Sequence, residues 1–156
     1  MSDLEDAKDQ VRSATSGVTW GGFCDTLADC ARYDADLDSL QAALNEARAA
    51  VAEARIRAAV WGLWDDAMAA AGVAVRPGDH EKVHEMLTEG LAEAQDGDRG
   101  ALLHATSGIT DLVMNRHAEE QGFVGDPDDP RWDTGSDRGD QVLGVLLDAV
   151  RGPAQA

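Results

Sequence analysis

The chain of 156 residues carries 30 aspartates and glutamates against 13 lysines and arginines, a formal charge of −17. That excess repels phosphate groups and argues against direct binding to nucleic acid or to an anionic membrane surface. With 44% apolar residues the chain has the material for a packed core, and it has no run of about 18 apolar residues that would read as a membrane span.

The first ten residues hold four acids and one lysine without an apolar stretch, so a secretory leader is not expected and a cytoplasmic location is. Cys24 and Cys30 fall six apart in one predicted helix. That spacing sets them about 240° apart around the axis and about 9 Å along it, so they read as reduced apolar fillers.

Strand-like alternation is absent, and Val73-Ala74-Val75 is cut short by Pro77, so the expected fold is all-α, a single domain over 1–156 built as a bundle of five to six helices. A first helix is predicted over about 3–14, capped by Ser2 and ended near Ser16-Gly17, and a second over about 22–33. Asp34-Ala35-Asp36 then supplies an N-cap for a long Ala-rich central helix over about 37–71. Its positions Leu37, Leu40, Leu44, Ala47, Val51, Ala54, Ala58 and Trp61 step by three and four like a coiled-coil seam. Unbroken, this helix would be about 52 Å long, against a radius of gyration of about 15 Å for a compact chain of this size. It therefore either bends, with Gly62 as the obvious place, or pairs with a second copy as a homodimer.

Gly72 ends that element, and Asp79 is predicted to cap a helix over about 80–95, closed by Asp96-Gly97-Asp98. Another is expected over about 99–121, ended by Gly122, then an Asp-rich loop over 122–140, a last helix over about 140–151 and a disordered tail at 152–156. Trp61 and Trp64, with Val60, Leu63 and Met68, read as core.

Two patterns bear on function. The first is Glu81, Glu85, Glu89 and Glu93, recurring every four residues on the helix side opposite Leu87, with Lys82 as the one base among them. Like charges at that spacing each cost a few tenths of a kcal/mol, so the row opposes folding. Carboxylates about 6 Å apart along a rod imitate a row of phosphates. With Asp25, Asp29 and Trp132 in support, the expected partner is a protein with a basic surface, bound through a salt-sensitive interface. In charge and size the chain resembles the DNA-mimicking inhibitors, the anti-restriction proteins and anti-CRISPRs. That resemblance implies an inhibitor that occupies the basic groove of a nucleic-acid-binding protein; on this reading no cofactor is expected, and the balance leans away from an enzyme.

The second is His80-Glu81-Lys82-Val83-His84, which spells H-E-x-x-H. Histidines at i and i+4 share a helix face and can reach one zinc ion, and the intervening glutamate can act as general base on zinc-bound water. These five residues resemble the zincin metalloproteases, which implies Glu81 as the catalytic base. An antiparallel pairing of the helices over about 80–95 and 99–121 would bring His117, or Asp111, level with His80 and His84 as a third ligand. The alternative function is thus a zinc protein or small metallohydrolase. No Gly-x-Ser-x-Gly elbow, phosphate loop or dinucleotide fingerprint occurs.

Overall fold

A computed structural model describes residues 3–20, 26–94 and 99–151. Among them are six helices and no strand: α1 (Asp3–Trp20), α2 (Leu27–Ala70), α3 (Asp79–Glu93), α4 (Arg99–Ala105), α5 (Ser107–Gln121) and α6 (Arg131–Arg151). The all-α class read from the sequence is the observed one. Asp25, Cys24, the turn at 96–98 and the tail at 152–156 lie outside the described residues.

The described chain divides into two compact units, 1–54 and 55–156, with the division inside α2. In the first unit, α1 continues through Ser16 and Gly17, where the sequence suggested an end. Leu4, Ala7, Val11, Ala14 and Val18 form its less exposed stripe. Gln10, Ser13 and Ala14 of α1 line one groove with Ser39, Ala42, Ala43 and Glu46 of α2.

The expected break at Asp34-Ala35-Asp36 is absent, and one helix covers both predicted segments. No proline or glycine occurs between Leu27 and Gly62, so nothing interrupts the i to i−4 hydrogen bonds there. The cap sits earlier: Thr26 Oγ1 accepts from the Asp29 N–H at 3.1 Å and donates to Asp29 Oδ2 at 2.8 Å, a capping box that begins eight residues before Asp34. α2 covers 44 residues. It runs through Gly62 without a break, because Gly62 faces open space while Val60 and Trp64 on either side are fully buried.

The second unit holds the main core. Val60, Trp64 and Met68 of α2 join Val83 and Leu87 of α3, Leu102 of α4, Ile109 and Val113 of α5, and Val142, Leu143 and Leu146 of α6. Each such side chain contributes about 1.5–3 kcal/mol by leaving water. Trp61 and Leu63, read as core, are instead exposed, Trp61 to 46%.

Gly72 and Gly122 end their helices as expected, both in the left-handed region. After α2 the Val73 N–H reaches Met68 O and the Gly72 N–H reaches Ala69 O, both at 3.0 Å, which satisfies the last carbonyls. Asp79 is not a cap. Gly78, at φ 86°, holds that place without a side-chain bond, and Asp79 begins α3 with its carboxylate turned inward.

The helix expected over 99–121 is two helices, divided at Thr106, whose hydroxyl donates to Leu102 O at 2.7 Å. The break accommodates Gly90 of α3, where an added Cβ would stand 2.7 Å from Thr106 Cγ2.

The Asp-rich loop is shorter than expected: residues 131–140 are the first half of α6. Its glycines explain why. A Cβ at Gly139 would lie 2.8 Å from Thr110 O, and one at Gly135 would lie 3.3 Å from His117 Cδ2, so both are contact points that let α6 close onto α5. Along the same seam the Thr110 hydroxyl donates to Asp140 Oδ1 at 3.2 Å, and Arg138 Nη1 donates to Ala71 O at 2.7 Å.

Candidate functional site

The α3 helix presents the two opposed sides that its sequence pattern called for. Val83 and Leu87 are buried, while Glu81, Glu85, Glu89 and Glu93 are all exposed. From Glu81 to Glu93 the row rises about 18 Å. Among the described residues none of the four joins an ion pair, in contrast to Glu119, which receives Arg76 Nη1 at 2.6 Å.

The start of α3 is held by a buried pair. Arg116 Nη2 of α5 donates to Asp79 Oδ1 at 2.9 Å, and the Arg76 N–H donates to Asp79 Oδ2 at 2.9 Å. Burial by itself would raise the Asp79 carboxyl. The Arg116 guanidinium and the Arg76 amide outweigh it and hold the group below its ordinary value. The hydrogen bond to Asp79 in turn raises Arg116. This pair ties the first residue of α3 to α5. No local pattern signals the pair, because its partners are 37 residues apart in the chain and Asp79 reads as an ordinary cap.

His80 and His84 turn toward α2, onto Trp61. The His80 ring stacks on Trp61 at 5.9 Å and 29°, and His84 meets it edge-on at 5.5 Å. His80 Nε2 lies 2.8 Å from Asp65 Oδ1, and the Arg57 guanidinium sits 5.3 Å from the centre of the Trp61 ring. The sequence pattern hides this cluster, because Trp61 reads as core there and is half-exposed here.

His117 has other surroundings. It is 4% exposed, edge-on to Phe123 at 5.6 Å, with Nδ1 buried and without a hydrogen-bond partner. Burial, then the charges of Arg138 and Arg131, hold it below the ordinary histidine value, against an opposing pull from Glu120. The antiparallel register that was to bring His117 level with His80 and His84 relied on one straight helix over 99–121, and the division at Thr106 removes that premise. Among the described residues no group of three His, Cys, Asp or Glu is arranged to hold a metal ion. Asp111 and His104 are exposed.

The remaining candidates have internal duties. Asp29 belongs to the capping box of α2 and receives Arg32 Nη2 at 2.7 Å. Trp132 is pinned: its indole N–H donates to Asp126 O at 2.7 Å, and its ring meets Phe123 edge-on at 5.0 Å. The chain matches no protein-family model, and neither a curated protein nor a solved structure is similar to it.

Proposed function

We propose that this chain is an acidic protein-binding module whose α3 ridge, Glu81, Glu85, Glu89 and Glu93, docks on the basic surface of a nucleic-acid-binding protein and competes with nucleic acid for it. The observation that supports this reading is the exposure of all four carboxylates on one side of a helix whose opposite side is anchored in the core. Such a row persists at a cost to stability of a few tenths of a kcal/mol per neighbouring pair, and a cationic partner would offset that cost. Asp29 and Trp132, engaged within the fold, have secondary parts in this reading, and Asp25 is an expected contributor from the sequence alone.

The test is a binding assay against immobilised polyarginine and a panel of basic nucleases, with duplex DNA as competitor. Binding that weakens steeply with salt, and is lost when the four glutamates are replaced by glutamine, supports the reading. If the glutamine variant binds as tightly as the parent, or the parent binds none of these probes, the reading fails.

A further inference from the structure

A second feature, independent of the acidic ridge, lies at the corner where α5 turns into α6. His117, Phe123 and Trp132 form a chain of edge-on rings, at 5.6 Å for the first pair and 5.0 Å for the second. Phe123 is buried, and its N–H donates to Ala118 O at 3.1 Å. The Arg131 guanidinium covers its ring at 4.5 Å and also donates to Gln121 O at 3.2 Å. On the other side His117 packs against Gly135, where there is no room for even a methyl group without displacement. Among the described residues no side chain or carbonyl pairs with the buried Nδ1 of the imidazole.

The charges facing it are mostly of the wrong sign. Arg131 and Arg138 approach from α6, Glu120 opposes them from α5, and Asp126 and Asp129 on the turn bear on Arg131. Glu120 is committed to the Ala74 N–H at 2.7 Å. Asp129, held to about 2 by its hydrogen bonds from Arg131, keeps its charge throughout the range in which histidines titrate.

We infer that this corner is an acid-released latch: a proton on His117 sets a further cation beside Arg131 and Arg138 inside the α5–α6 seam, and Phe123 and Trp132 come away from it. Opening lets the imidazole reach water, where it holds the proton freely, so acid favours the open form. The consequence is local. The turn at 122–130 and the first turn of α6 are released while the core around Val83 and Leu87 stays closed.

Hydrogen exchange of the Trp132 indole N–H and the Phe123 amide, corrected for intrinsic rates, tests this between pH 7 and pH 5. The expected result is a rise of about tenfold in the opening constant at both probes, with Val83 and Leu87 unchanged. In His117→Gln the rise should fall below twofold. A flat response in the parent, an equal rise in the glutamine variant, or an equal rise at Val83 and Leu87 overturns the inference. Should the variant not fold, the parent decides alone. If the His117 ring, followed by its nitrogen shifts, takes up a proton while the Trp132 indole remains protected, there is no latch.

Discussion

Asp79 and Arg116, 37 residues apart in the chain, meet at 2.9 Å with the aspartate wholly shielded from solvent. Removing one member of such a pair leaves the other charged and desolvated, which costs more than the pair contributes while intact. Asp79→Asn is therefore expected to destabilise the second unit by about 3 kcal/mol in urea unfolding. The pH dependence has a definite sign. Because the folded-state value is depressed, the stabilisation is full above the unfolded carboxylate value near 4 and is lost as pH falls through the folded value below it. Asp79→Asn should flatten that acid limb, and urea midpoints at pH 7, 4 and 3 will measure it.

Gly139 sets the spacing between α5 and α6. Gly139→Ala places a methyl group against the Thr110 carbonyl, a backbone atom that cannot swing aside. The expected loss is about 1–3 kcal/mol. Gly144→Ala on the same helix, where a Cβ meets open space, should be neutral or slightly stabilising, by up to about 1 kcal/mol. Thermal melts of the two variants separate crowding from helix propensity.

Trp61 and Trp64, three residues apart, should respond very differently to truncation. Trp64→Ala empties a fully buried site and is expected to cost about 3–5 kcal/mol. Trp61→Ala removes a half-exposed ring and its contacts with His80, His84 and Arg57, for which about 1 kcal/mol is expected. Equal losses in chemical unfolding would mean that Trp61 is core after all.

Replacing Glu81, Glu85, Glu89 and Glu93 together by glutamine should stabilise the fold while abolishing partner binding. Removing three like-charge neighbours at i, i+4 is expected to gain about 1 kcal/mol, or a few degrees in Tm. The opposite signs matter: a binding defect that came from misfolding would be accompanied by a lower Tm, not a higher one.

Much of this architecture was legible from periodicity. Leu87 and Val83 face inward and the glutamates outward because a 3.6-residue repeat leaves no other arrangement once one side is buried. The ends at Gly72 and Gly122 followed from the left-handed conformation that glycine adopts freely. What misled was residue type taken without its surroundings. Asp34 and Asp36 resemble caps, yet no chain-breaking residue accompanies them, and the capping box belongs to Thr26 and Asp29. The Asp- and Gly-rich stretch 131–140 reads as loop because its glycines lower helix propensity, and only the approach of α5 reveals them as points of close packing. The candidate site was half legible for the same reason. The carboxylate row depends on one helix and could be read, whereas the settings of His80, His84 and His117 depend on which other helices they meet.

Three neighbouring side chains of α6 have already been assigned separate contacts: Arg138 on the Ala71 carbonyl, Gly139 against Thr110 and Asp140 on the Thr110 hydroxyl. In sequence they spell Arg-Gly-Asp, the tripeptide that adhesion receptors read from flexible loops. Here it is wound into a helix, with its cation bonded to the Ala71 carbonyl and its anion accepting from the Thr110 hydroxyl. A receptor that reads those letters from an extended loop would have to unwind this part of α6 first.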